Sequence, residues 1–189
     1  MDAFGYISVI FSVVIGLGLS HLLTGIIELF KARGRVRFYW LHLLWVVLIF
    51  VAHIFLWWTM WNLRLLRDWN FFFFLLILFA PVLLYVAAAL LIPKLELGVS
   101  LDLREYFYEN RPAFFCVSAA FTALMGVENW LLTGRMSSAR VTAVFAGWFV
   151  LLSSSAFVRD RRYHAAVGIL VGLLFILFVV LFGLRLGST

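Results

Sequence analysis

Apolar and polar positions alternate along this chain on a scale of about twenty residues, not two or four. Six nearly uninterrupted runs of Ile, Val, Leu, Phe and Ala, at 3–30, 38–61, 71–92, 112–132, 141–158 and 165–184, are separated by short stretches that hold most of the charges. A helix rises about 1.5 Å per residue, so roughly 20 residues cross about 30 Å of hydrocarbon, and each run meets or approaches that length. Continuously apolar runs exclude a closed transmembrane barrel, whose strands alternate. The pattern predicts an all-α, polytopic integral membrane protein, with six transmembrane helices in one bundle and a single domain over 1–189.

Within the first run, steps of four pick out Ser8, Ser12, Gly16, Ser20, Thr24 and Glu28. Residues four apart are neighbours on a helix surface, and a row of small residues lets another backbone approach closely in lipid. This ridge predicts that the first helix is the one the others pack around. Similar packing signatures are Ala143, Gly147 and Ser155 in the fifth run and Gly168-x-x-x-Gly172 in the sixth. Trp40 and Trp45 at one end of the second run, and Trp57, Trp58 and Trp61 at the other, read as ring anchors at the two membrane interfaces. In the long connection 93–111, Asp102 followed by Glu105 has the form of a capping box, which predicts a short helix over 103–110. Arg111 before Pro112 then predicts a break, with Pro112 opening the fourth transmembrane helix.

Composition agrees with this reading. Hydrophobic residues make up 66% and charged residues 13% of the chain, against about 25% charged in soluble domains, and the mean hydropathy is +1.10. The formal charge of +6 sits in short loops between apolar runs. That is the pattern of a membrane face and not of a nucleic-acid-binding surface. The single cysteine, Cys116, excludes an intramolecular disulfide and a Cys-based metal site. The first run is longer than the roughly 7–15 residues of a signal-peptide core, so it is expected to be retained.

The loops 31–37, 93–111 and 159–164 carry ten cations: Lys31, Arg33, Arg35, Arg37, Lys94, Arg104, Arg111, Arg159, Arg161 and Arg162. The opposite side carries five: Arg64, Arg67, Arg135, Arg140 and Arg185. Positive charge stays inside, so the first group is expected in the cytoplasm and both termini in the periplasm, with the protein in the inner membrane. Lys31, Arg33, Arg35, Arg37, Arg161 and Arg162 are the expected contacts to anionic lipid.

Ionisable side chains inside apolar runs cost about 2.5–3.5 kcal/mol at a helix centre and therefore face a partner or a cavity. They are His21, Glu28, His42, His53 and Glu128. At about 1.5 Å per residue from the cytoplasmic end, Glu28 and His42 lie roughly 4 and 6 Å deep, His21 about 14 Å, and His53 and Glu128 about 22 and 24 Å. Two level pairs result, Glu28 with His42 and His53 with Glu128. With Ser20, Thr24 and Asn129 these residues outline a polar path. Histidines at unequal depths do not suit a haem, and no hydrolase, P-loop, dinucleotide or zinc-protease motif occurs. Thus no catalytic residue, cofactor or metal is assigned. Two functions fit: a transport- or channel-type protein using the polar path, or a non-catalytic accessory or scaffold subunit that uses the same stripe for packing, as a homo-oligomer or within a larger membrane complex.

Overall fold

In the computed structural model, residues 3–66, 69–95, 99–133 and 139–183 are described. Arg67, Arg135 and Arg185 of the charge comparison lie outside these residues. Among the described residues six α-helices form in order: α1 (Ala3–Lys31), α2 (Trp40–Thr59) with a 3-10 turn (Met60–Leu65), α3 (Phe71–Leu91), α4 (Leu103–Thr133), α5 (Ala139–Phe157) and α6 (Arg161–Phe178), which ends in a π-turn (Val179–Gly183). Five are long and apolar enough to cross a membrane, while the apolar part of α5, Val141–Phe157, is shorter. The chain is a multi-pass, all-helical membrane protein.

Helix starts follow local capping. Asn70 accepts a hydrogen bond from the Phe73 amide at 2.8 Å, and Asp160 accepts one from the Tyr163 amide at 2.8 Å. Asp102 accepts from the Arg104 amide at 2.9 Å, so the expected cap at the start of α4 is present. The break expected at Pro112 is not: α4 runs unbroken over Leu103–Thr133. Its buried face, Leu103, Phe107, Arg111, Phe114, Phe115, Ser118, Ala119 and Thr122, continues at helical spacing across the proline. That burial outweighs the roughly 3 kcal/mol an interior proline costs.

α2 and α3 form the centre. α2 contacts α1, α3, α4 and α6, and α3 contacts α1, α2 and α4. The helix expected at the centre, α1, lies at the edge; 28% of its span is buried, against 39% for α3. Its buried row is Phe11, Ile15, Gly18, Leu22, Gly25 and Leu29, while Ser12, Gly16, Ser20, Thr24 and Glu28 are exposed. Glycine does serve packing, but at other positions. A Cβ on Gly18 would overlap the His53 ring, and one on Gly25 would overlap Ile92. The Gly168/Gly172 pair behaves as expected: both are buried, against Leu41, Leu44, Trp45 and Leu48 of α2. In α5, Ser155 is buried but Ala143 and Gly147 are exposed. Trp45 is no interface anchor. It is 3% exposed and packs edge-on against Phe114 and Phe115.

The connections at one end are tied together. Val36–Arg37 (β1) pairs in parallel with Leu101–Asp102 (β2), and Arg37 meets Asp102 at 3.6 Å. Ring contacts of His164 with Phe107 and Tyr108 bring the start of α6 to the same end. All ten cations of the first group therefore belong to one end of the bundle.

Candidate functional site

A polar layer lies just inside that end. The last carbonyls of any helix lack intrahelical partners, and hydrocarbon supplies no water to bond them. Here neighbouring helices supply the donors. His42 Nε2 of α2 donates to the Leu91 carbonyl at 2.7 Å, and the Tyr106 hydroxyl of α4 donates to the Leu90 carbonyl at 3.2 Å, closing the end of α3. His164 Nε2 of α6 donates to the Val158 carbonyl at 2.9 Å, just past the end of α5. Ser154 and Tyr163 share a bond of 2.6 Å beside it. A carbonyl only accepts, so both imidazoles carry their proton on Nε2. Their Nδ1 atoms are buried without partners.

Between the two histidines stands Phe107, its ring centroid 6.4 Å from His42 and 6.2 Å from His164. The Tyr39 and Tyr108 hydroxyls meet at 3.3 Å. Arg111, counted as a loop cation from the sequence, is buried among these groups at 6% exposure.

The expected polar path does not assemble. Ser20, Thr24 and Glu28 are on the outer surface of α1. His21 faces α3, its ring 6.0 Å from that of Tyr85. Glu28 is exposed while His42 is fully buried, and no bond joins them. His53 and Glu128 are both buried, yet they form neither a hydrogen bond nor an ion pair. His53 Nδ1 donates to the Ile49 carbonyl at 2.8 Å, its Nε2 lies over Gly18 of α1, and Glu128 Oε1 has no partner. Equal depth did not produce contact because His53 turns toward α1 and not toward α4.

Two cavities open in the bundle. One, of about 110 Å³, lies between α2, α3, α4, α5 and α6 and is lined mainly by Trp45, Leu48, Phe121, Met125, Trp148 and Phe175. The other, of about 360 Å³, follows the α4–α5 seam past Gly126, Asn129, Trp130 and Phe145. Of the expected path residues only Asn129 lines either. Ser118 and Thr122 at the first cavity already donate to the carbonyls of Phe114 and Ser118. The linings of both cavities are mainly apolar. No group of three or more His, Cys, Asp or Glu able to hold a metal occurs among the described residues.

Sequence reasoning missed His164, which stands one residue outside the assigned sixth run, and the burial of Arg111. The helical spacing of Leu103, Phe107, Arg111 and Phe114 carried the signal for the second. Comparison with protein-family models, characterised proteins and solved structures gives no match.

Proposed function

We propose that this chain is a six-helix inner-membrane accessory or scaffold subunit, without catalytic activity of its own, that receives another transmembrane helix on the outer face of α1. In this reading α5 is the sixth span, both termini are periplasmic, and the ten-cation end meets anionic lipid in the cytoplasmic leaflet through Lys31, Arg33, Arg35, Arg37, Arg161 and Arg162. The observation that carries the proposal is the outward position of Gly16, Ser20 and Thr24 on α1. Steps of four residues rotate by about 40° each, so these three form one narrow patch. Small and hydroxyl residues gain little from lipid but let a second backbone approach and bond. The scattered positions of His21, Glu28, His42, His53 and Glu128 give the transport reading no corresponding support.

A Cβ on Gly16 would meet nothing within 4 Å. Gly16→Leu is therefore expected to leave the subunit's own thermal stability intact while lowering the mass of the purified native assembly. An unchanged assembly mass, measured by light scattering or native mass spectrometry, refutes the packing role. A reporter fused after Thr189 that is active only in the cytoplasm refutes the orientation.

A further inference from the structure

Arg111 is 6% exposed, its Nε is buried without a partner, and it makes no hydrogen bond or ion pair among the described residues. Arginine stays charged in proteins, and buried charges are ordinarily paired. The acidic side chains near it do not fill that role. Glu105 and Glu109 of the same helix are exposed, and Asp160, which caps α6, forms no ion pair with Arg111. Among the described residues, then, no carboxylate is bonded to this cation.

The surroundings describe what would pair with it. Tyr108, one helical turn from both Arg104 and Arg111, bonds Tyr39 at 3.3 Å. Residues 104, 108 and 111 are spaced four and three apart, which sets them on one face of α4. In the Tyr39–Tyr108 hydroxyl pair one proton is used between the two oxygens and the other remains free to donate. Two guanidiniums and a phenol on one face match the oxygens of a tetrahedral oxyanion, for which arginine's fork is well shaped.

The level is that of lipid phosphates. α4 has 31 residues, about 46 Å at 1.5 Å per residue, and so exceeds the roughly 30 Å hydrocarbon core. Tyr108, on the same face of α4 as Arg111, bonds Tyr39, where α2 begins, and its ring lies 5.7 Å from that of His164, near the start of α6. Exposed Arg159, Arg161 and Arg162 add positive charge at that end of the bundle.

We propose that Arg111 and Arg104, with the Tyr108 hydroxyl between them, form a binding site for a phosphate group, supplied by a phospholipid headgroup seated at the end of α4. The site is independent of the α1 face, so either proposal can fail while the other stands.

The test uses the full chain in detergent, with thermal unfolding followed as dioleoyl-phosphatidylglycerol or inorganic phosphate is added in separate titrations. A saturable rise in unfolding temperature with the lipid but not with inorganic phosphate is the expected result. The same rise with inorganic phosphate supports the site and makes free phosphate its ligand. Arg111→Gln and, in case that variant folds poorly, the half-buried Arg104→Gln should each raise the half-saturating concentration about tenfold or more, the loss of one charge-assisted contact. Arg64→Gln, an equal charge loss at the other end, is the control. No saturable rise with either additive, or half-saturation in the Arg111 and Arg104 variants equal to that of the Arg64 variant, overturns the proposal.

Discussion

Replacing Gly18 by alanine tests whether α1 is held by its glycine row and not by its serine ridge. The added Cβ would overlap His53 Nε2 and stand 2.7 Å from Cδ2 and 3.2 Å from Cε1, where carbon atoms prefer about 3.5–4.0 Å. The ring cannot easily yield. His53 is fully buried and its Nδ1 is bonded to the Ile49 carbonyl. Overpacking of this kind costs about 1–3 kcal/mol, and losing the Ile49 bond would add roughly 1 kcal/mol. The matched control is Gly16→Ala, whose Cβ meets nothing within 4 Å and which gains up to about 1 kcal/mol of helix propensity. Unfolding of the detergent-purified variants should place Gly18→Ala below wild type and Gly16→Ala at or above it. In a His53→Ala background the Gly18→Ala penalty should shrink by most of its value, since the two residues touch. Equal stability of Gly18→Ala and wild type, or a penalty unchanged by His53→Ala, would refute the contact as the cause.

The remaining expectations concern polar groups at helix ends and in the core. His42→Leu leaves the Leu91 carbonyl unbonded and should cost about 1–3 kcal/mol in the same unfolding assay; Tyr106→Phe, releasing Leu90, should cost roughly 1 kcal/mol. Asp160→Ala removes the cap that accepts from the Tyr163 amide and should destabilise by about 0.5–2 kcal/mol. Glu128→Met replaces a buried carboxyl, one oxygen of which lacks a partner, by an apolar chain of similar length; stability should rise, and a loss would show that Glu128 has a bonding role. Arg37→Ala removes an ion pair whose arginine side chain is 84% exposed, and stability should be unchanged.

The helical class was legible because it rests on long-range composition: runs of twenty apolar residues leave few alternatives in a membrane. The helix limits of α1 and α3 were also legible, since charges and Asn70 mark them. What failed was the inference of which face is buried. A row taken in strict steps of four rotates steadily about the axis, by about 160° between Ser12 and Glu28, and no flat partner can follow it. The row that is buried, Phe11, Ile15, Gly18, Leu22, Gly25 and Leu29, alternates steps of four and three and so stays on one face. Depth was a poor guide to pairing for a related reason. It fixes position along the axis and leaves the angle free, and angle is what separates His53 from Glu128.

The same distinction bears on the polar bonds between elements at the ten-cation end. Lipid tails are as apolar as leucine, so sliding one helix along another changes little burial. Specific bonds must then set axial register. His42 to Leu91 and Tyr106 to Leu90 join different helices, and His164 to Val158 and Tyr39 to Tyr108 each tie a helix to a residue flanking another, all at the ten-cation end. The β1–β2 pairing adds a further tie outside them. At the opposite end Trp57 Nε1 of α2 donates to Ser12 of α1 at 3.4 Å. Histidine suits this work because neutral imidazole donates through one nitrogen without bringing a permanent charge into the hydrocarbon. The end with the most cations is therefore also one where bonds fix the register, and a ligand held by Arg111 would bind beside those bonds.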